Sequence, residues 1–301
     1  MTPRGVRPEH AALLGLRRYG AEMRRLLSLD AERHEAAQAS AARSQGMDYA
    51  ESRPYSPGDD VRRIDWRVTA RTGRAHTKLF QLERGNDLYC IVDQRAPMHF
   101  GTRAAFKSVV AAELAALAGW AAAAGGDRFG ALVAGARGAS VRTGAADGST
   151  RALCTVLSEK EHEGLPEAAS SLDALAARAA GEAGAGTRFV VVSDFADADA
   201  ALAGALRLLR ARGEVDLLWV FDPLELRLPP PGRYPLTDGR EHLMLDTARA
   251  EVRAAHAREV ALRRARLARF AVQPGVRWRA VATGEDLLAA LERPFAPGVL
   301  Q

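Results

Sequence analysis

Hydrophobic and polar positions follow two different rhythms along this chain. Between residues 9 and 29, Leu13, Leu16, Met23, Leu26 and Leu27 recur at three- and four-residue steps, which predicts an amphipathic helix. Residues 30–56 are polar and Ala-rich, then turn-prone at Pro54, Pro57 and Gly58. From Val61 to Val68, Ile64, Trp66 and Val68 fall on alternate positions, which predicts a half-buried strand with Trp66 as its apolar anchor. Ala75–Leu82 repeats the alternation more weakly.

After residue 85, short apolar runs alternate with longer helical patterns. The runs predict strands at Leu88–Asp93, Phe129–Ala134, Arg188–Ser193, Val215–Phe221 and Val276–Val281, with helices over about 103–124, 166–180, 198–212, 246–271 and 285–292. Most of the strands are near-continuously apolar, as strands covered on both faces are. Strand–helix alternation predicts parallel strands joined by right-handed crossovers. The expected fold is therefore α/β, a doubly wound and mostly parallel sheet preceded by a short N-terminal helix and strand segment. The expected division is a helix plus extended segment over 1–84 and the α/β domain over 85–301, with Pro223–Pro235 a loop excursion inside it.

Composition agrees with a folded chain. The 301 residues are 48% hydrophobic and 26% charged, and aromatics at 6% leave a core of Leu, Val and Ala. Cys90 and Cys154 are too few for a disulfide framework and point to a reducing compartment. The first thirty residues contain no uninterrupted apolar run of the kind a secretory signal needs. The longest apolar stretch, Ala104–Ala124, contains Lys107 and Glu113 and reads as a buried helix rather than a membrane span. A cytoplasmic chain is expected. The net charge of +5 sits at the front: residues 1–84 hold 16 Lys and Arg against 11 Asp and Glu, and the remainder holds 26 of each. The 246–271 helix is also basic, with Arg249, Arg253, Arg258, Arg263, Arg264, Arg266 and Arg269. Its interspersed Glu251 and Glu259 argue against a nucleic-acid groove and for a surface amphipathic helix.

Catalytic motifs are missing from the sequence. There is no G-x-x-x-x-G-K-[ST] run and no G-x-S-x-G, and Gly184-Ala-Gly186 precedes a strand instead of following one. The histidines show no metal-ligand spacing, and neither cysteine belongs to a C-x-x-C pair. No enzyme and no cofactor are expected.

The densest signal runs from Tyr55 to Arg71, where Asp59, Asp60 and Asp65 interleave with Arg62, Arg63, Arg67 and Arg71. Rigid guanidinium forks among carboxylates can form a bidentate network. Two readings stand open: the pairs dock the N-terminal segment, or they contact a partner. Arg53, Tyr55, Gly58, Asp59, Asp60, Arg62, Ile64, Asp65, Trp66, Thr69, Ala70 and Arg71 fit the pattern R-x-Y-x-x-G-D-D-x-R-x-I-D-W-x-x-T-A-R. In this the chain resembles the domain-of-unknown-function 58 family, and the resemblance continues over about 43–292.

That resemblance implies a von Willebrand A-like, Rossmann-like domain without established catalytic activity. It also implies a protein-interaction role, as an assembly or chaperone-like partner of MoxR-type AAA+ ATPases and other von Willebrand A proteins. Von Willebrand A domains commonly hold a divalent cation through D-x-S-x-S after the first strand, and here that stretch reads Asp93-Gln94-Arg95-Ala96-Pro97. Asp93 and Asp194 remain, but Arg95 and Pro97 replace the hydroxyls, and a guanidinium cannot ligate a cation. The implied metal site is degenerate, with Mg²⁺ disfavoured and the Arg95 guanidinium expected to pair with Asp93 or Asp194 unless it points to solvent. The alternative is an Mg²⁺-dependent adhesion-type protein binder with an unusual ion site. Asp93–Phe100, Arg142–Gly148 and Asp194–Asp199 are expected to line the carboxyl edge of the sheet, where the partner would dock.

Overall fold

A computed structural model of the chain describes residues 1–28, 48–55, 64–81, 87–135, 138–159, 171–196, 199–237, 242–271 and 275–293. In chain order its elements are α1 (His10–Gly15), a 3₁₀ turn (Leu16–Tyr19), α2 (Gly20–Leu26), β1 (Asp48–Pro54), α3 (Trp66–Thr72), β2 (His76–Gln81) and β3 (Asp87–Asp93). A 3₁₀ turn (Ala96–Met98) leads to α4 (Lys107–Ala124), β4 (Arg128–Ala134), β5 (Ala139–Ala145), α5 (Ala146–Ser158), α6 (Leu172–Glu182), β6 (Arg188–Ser193) and α7 (Ala200–Arg212). The chain continues as β7 (Val215–Phe221), α8 (Pro223–Leu226), β8 (Arg233–Thr237), β9 (His242–Asp246), α9 (Ala250–Ala271), β10 (Val276–Ala282) and α10 (Leu287–Glu292).

Packing groups these elements into two units, Met1–Ser28 with Asn86–Gln301, and Leu29–Gly85. The sequence-based division put residues 1–84 together. The first helical stretch instead goes with the large unit, because its buried Leu13, Leu16, Met23 and Leu27 find their apolar partners there.

The large unit is built on a six-stranded sheet in the order β10-β7-β6-β3-β4-β5. All neighbours are parallel except β5, which runs antiparallel to β4. The five runs read from the sequence are the five parallel strands; β3, β4, β6 and β7 are near-continuously apolar because both faces are covered, while the edge strand β10 carries Arg277 and Arg279. On one face Tyr89, Ile91, Phe189, Val191, Leu217 and Trp219 pack with Leu172, Leu175, Leu202 and Leu206 of α6 and α7. The other face is covered by α4, which packs on β3, β4 and β6. By length and composition α4 is apolar enough to cross a membrane, and nearly all of it is buried inside the unit. Strand β3 lies between β6 and β4, so successive connections leave it in opposite directions and its carboxyl end is the switch point.

The N-terminal helices lie on α4. Trp120 Nε1 donates to the Leu13 carbonyl at 3.0 Å. At Gly20 a side chain would meet the Trp120 carbonyl at 2.5 Å, so the close approach requires glycine. Arg24 is buried and donates to Asp127 Oδ2 at 2.5 Å. Arg279 donates to the Leu26 carbonyl at 2.9 Å, satisfying an orphan acceptor at the end of α2.

The small unit corrects the reading of Val61–Val68 as a strand. Val61–Arg63 lie outside the described residues, and Trp66–Thr72 is the helix α3. Asp65 is its N-cap, accepting from the backbone of Arg67 and Val68 at 3.1 Å each. Gly73, at φ 71°, closes it in the left-handed conformation. The alternation of Ile64, Trp66 and Val68 was overridden by these end signals. Trp66 is therefore no apolar anchor: it is 69% exposed. β1 and β2 pair antiparallel, with an irregularity between Tyr49 and Glu51.

Four further strands escaped the sequence reading. β1 and the edge strand β5 carry polar and small residues with no apolar run. β8 and β9 pair as a hairpin, and α8 with β8 occupies what reads as a Pro- and Leu-rich loop.

Breaking the buried Arg24–Asp127 pair leaves a charge without its partner, so Arg24→Met is expected to lower stability to urea by about 3–5 kcal/mol. The double variant Arg24→Met/Asp127→Leu is expected to recover most of that loss, and additive losses in the double variant would contradict it.

Candidate functional site

Three carboxylates are buried side by side at the carboxyl ends of adjacent parallel strands. Asp93 ends β3, Asp194 follows β6 and Asp222 follows β7, with exposures of 1%, 2% and 0%. Buried charges of one sign must be compensated or protonated. Here each is compensated, and by this chain's own side chains.

Asp93 is held by a fork. Arg95 donates from Nε to Oδ1 at 2.9 Å and from Nη2 to Oδ2 at 2.7 Å, while its backbone N–H donates to Oδ1 at 3.0 Å. Ser193 Oγ adds a hydrogen bond to Oδ2 at 2.6 Å and accepts in turn from the Phe195 N–H at 2.9 Å. This second link ties β3 to the end of β6, where Phe195 adopts a positive φ of 49°.

Asp194 takes a buried ammonium. Lys107, at the first position of α4, donates to Asp194 Oδ2 at 2.6 Å and to Glu225 Oε1 at 2.8 Å. Arg263 of α9 donates to the Asp194 carbonyl at 2.8 Å and to Glu225 Oε1 at 3.2 Å. Asp93, Asp194 and Glu225 thus face Arg95, Lys107 and Arg263, three charges against three. Asp222 has a different solution, four neutral donors: Thr102 N and Oγ1 at 3.0 and 2.8 Å, Leu224 N at 2.9 Å and Thr283 Oγ1 at 2.5 Å. Burial pushes its carboxyl up, but the hydrogen bonds from Thr283, Leu224 and Thr102 outweigh it and hold the group below the usual aspartate value.

Donor chemistry decides what this cluster can hold. A hard divalent cation needs oxygen acceptors around it. Both oxygens of Asp93 already receive N–H or O–H donors, as does each oxygen of Asp194. Pro97, exposed in the 3₁₀ turn, offers no hydroxyl. The residues present do not fit a divalent ion. Among the described residues, no group of three or more His, Cys, Asp or Glu is arranged to hold a metal.

The family-signature residues are dispersed in role. Gly58, Asp59, Asp60 and Arg62 lie outside the described residues. Asp65 is buried as a helix cap, Tyr55 is half-buried, and Trp66, Ala70 and Arg71 face solvent on α3. The expectation that Arg142–Gly148 lines the carboxyl edge fails. β5 is antiparallel, so Ala145 pairs with Arg128 at the opposite edge. Lys107, Arg263, Glu225, Thr102 and Thr283 were missed as members of the cluster. Lys107 was the legible one, a lone cation opening an otherwise apolar helix. Asp222 and Glu225 form the capping box of α8, a spacing readable in the sequence.

A family model described as protein of unknown function DUF58 matches residues 51–266. Uncharacterized proteins of Mycobacterium bovis and Mycobacterium tuberculosis are each 33% identical over 257 residues, covering 82% of this chain and 78% of theirs. Among solved structures, the conserved hypothetical protein BatB from Bacteroides thetaiotaomicron aligns with a TM-score of 0.42 at 12% identity, over 69% of this chain and 95% of that one. An aerotolerance-related membrane protein from Bacteroides fragilis aligns with a TM-score of 0.36 at 14% identity, over 69% and 96%. With one of these neighbours described as a membrane protein, the cytoplasmic expectation is withdrawn and no location replaces it.

Because the folded Asp222 titrates below its ordinary value, its contribution is present above about pH 4 and lost as pH falls through the folded value. Thr283→Val is expected to cost about 1–3 kcal/mol at neutral pH, with the gap to wild type narrowing towards pH 3. Denaturation curves across that range check it, and a gap independent of pH would contradict it.

Proposed function

The chain belongs to the DUF58 family, and from that premise we propose that it is a non-enzymatic protein-interaction module, an assembly or chaperone-like partner of a MoxR-type AAA+ ATPase. Other von Willebrand A proteins are its further proposed partners. The observation that carries the reading is the Arg95 fork on Asp93, with Lys107 and Arg263 on Asp194. Doubly wound sheets engage ligands at this edge. Here the edge is a closed, charge-balanced set of internal pairs, which favours a preformed docking surface over an ion-gated one.

The potential nucleophiles and bases also support a non-catalytic role. Cys90 and Cys154 are buried in apolar surroundings, and burial pushes both thiols up, away from the reactive thiolate. Ser193 Oγ is fully buried, donating to Asp93 and accepting from the Phe195 N–H, so it is not presented to a substrate. His99 Nε2 is engaged with the Gln94 carbonyl at 3.1 Å. The von Willebrand A-like assignment belongs to this proposal and rests on the sheet order together with the position of Asp93 after its first strand.

Nucleotide-free binding to the MoxR-type ATPase of the same genome tests the reading. Affinity is expected to be the same within about twofold in magnesium and in EDTA. A loss of about tenfold or more in EDTA would point to the ion-dependent alternative, and no binding in either buffer would overturn the partner assignment.

A further inference from the structure

Helix α3 presents an unusual outer face. Its residues advance about 100° per step, so Trp66, Ala70, Arg67 and Arg71 fall in sequence along one arc of roughly 140°. All four are exposed, whereas Val68 and Thr69 on the opposite arc are half-buried. The buried arc is also the hydrogen-bonded one: Thr69 Oγ1 accepts from the His76 N–H at 3.0 Å. The helix is thus fixed by one side and free on the other. Asp65, the acid that immediately precedes the helix, is buried and committed to capping. Among the described residues, the side chains of Arg67, Arg71 and Arg74 make no ion pair.

A tryptophan 69% exposed beside arginines that make no ion pair among the described residues is what an interface looks like before its partner arrives. Trp and Arg lead the residues whose truncation costs most at interfaces. Arg67 and Arg71 stand one turn apart, about 6 Å, and each guanidinium is a planar fork matched to a carboxylate. We propose that this face of α3 docks an acidic protein segment bearing two carboxylates about one helical turn apart, with an apolar residue beside them that covers Trp66. It adds a second docking face, on the small unit, to the partner role proposed above, and rests on that reading only for which protein supplies the segment. A protein segment fits better than nucleic acid, because the face is four residues long and lacks the extended cationic track that a phosphate backbone follows.

Trp66 provides its own reporter. Trp120, Trp219 and Trp278 are 1%, 0% and 4% exposed, so acrylamide quenching of the full chain reads Trp66. The probe is a helical peptide with Glu at i and i+4 and a Leu beside them, and the control is the same peptide with Gln for Glu. Expected results are a blue-shifted emission and saturable protection from quenching with the Glu peptide, both absent in Trp66→Phe. Arg67→Glu/Arg71→Glu is expected to weaken binding at least about tenfold, and Arg67→Lys/Arg71→Lys less, since charge survives while the fork is lost. Circular dichroism confirms that these surface variants are folded. Protection absent up to millimolar Glu peptide, or equal with the Gln peptide, overturns the proposal. Equal protection by duplex DNA or by phosphatidylglycerol vesicles overturns it too. An ATPase that binds wild type and the Arg67→Glu/Arg71→Glu variant alike removes this face while sparing the partner reading. Capture of the peptide without the ATPase does the reverse.

Discussion

Burying acid at the ends of parallel strands is the constraint around which this molecule is arranged. Each of Asp93, Asp194 and Asp222 is almost wholly removed from water, and an isolated carboxylate there would protonate or destabilise the fold. The chain answers with Arg95 from the adjoining turn, Lys107 from the start of α4, Arg263 from α9, and the hydroxyls of Thr102, Ser193 and Thr283. These donors come from widely separated stretches, so the network also fixes where α4, α8 and α9 stand against the sheet. Such pairs say little about net stability, since desolvation offsets attraction. Their consequence is geometric: the edge is preset.

The opposite edge repeats the device. Asp216, fully buried near the start of β7, receives Arg188 Nε at 2.8 Å and Arg277 Nε at 2.9 Å. Arg277 also donates to the Leu27 carbonyl at 3.3 Å, and Arg279 closes the end of α2. One set of arginines thus neutralises the sheet and anchors the N-terminal helices. A composition with three lysines and many arginines is consistent with this, because planar forks can serve two acceptors at once.

The parallel strands were legible because full burial leaves an unbroken apolar run, as in Val190–Val192 and Leu217–Val220. β5 was illegible because an edge strand with half its side chains exposed needs no such run. α3 was misread because Asp65 and Gly73, its cap and its terminator, were weighed less than a two-residue alternation. At the site, Asp93, Arg95 and Asp194 could be named from a motif and its departures. Arg263 could not, since nothing in a basic helix marks which arginine turns inward. Only the packing of Leu267, fully buried one turn further on, sets that orientation.

The central claim is that the cations at the carboxyl edge belong to the chain itself. Crystals soaked in manganese and measured for anomalous scattering test it most directly, because Mn²⁺ takes the same oxygen ligands as Mg²⁺. The account predicts no anomalous peak beside Asp93 or Asp194, with the Arg95 guanidinium still forked on Asp93. An ordered peak bonded to either carboxylate, with Arg95 swung away, would contradict it.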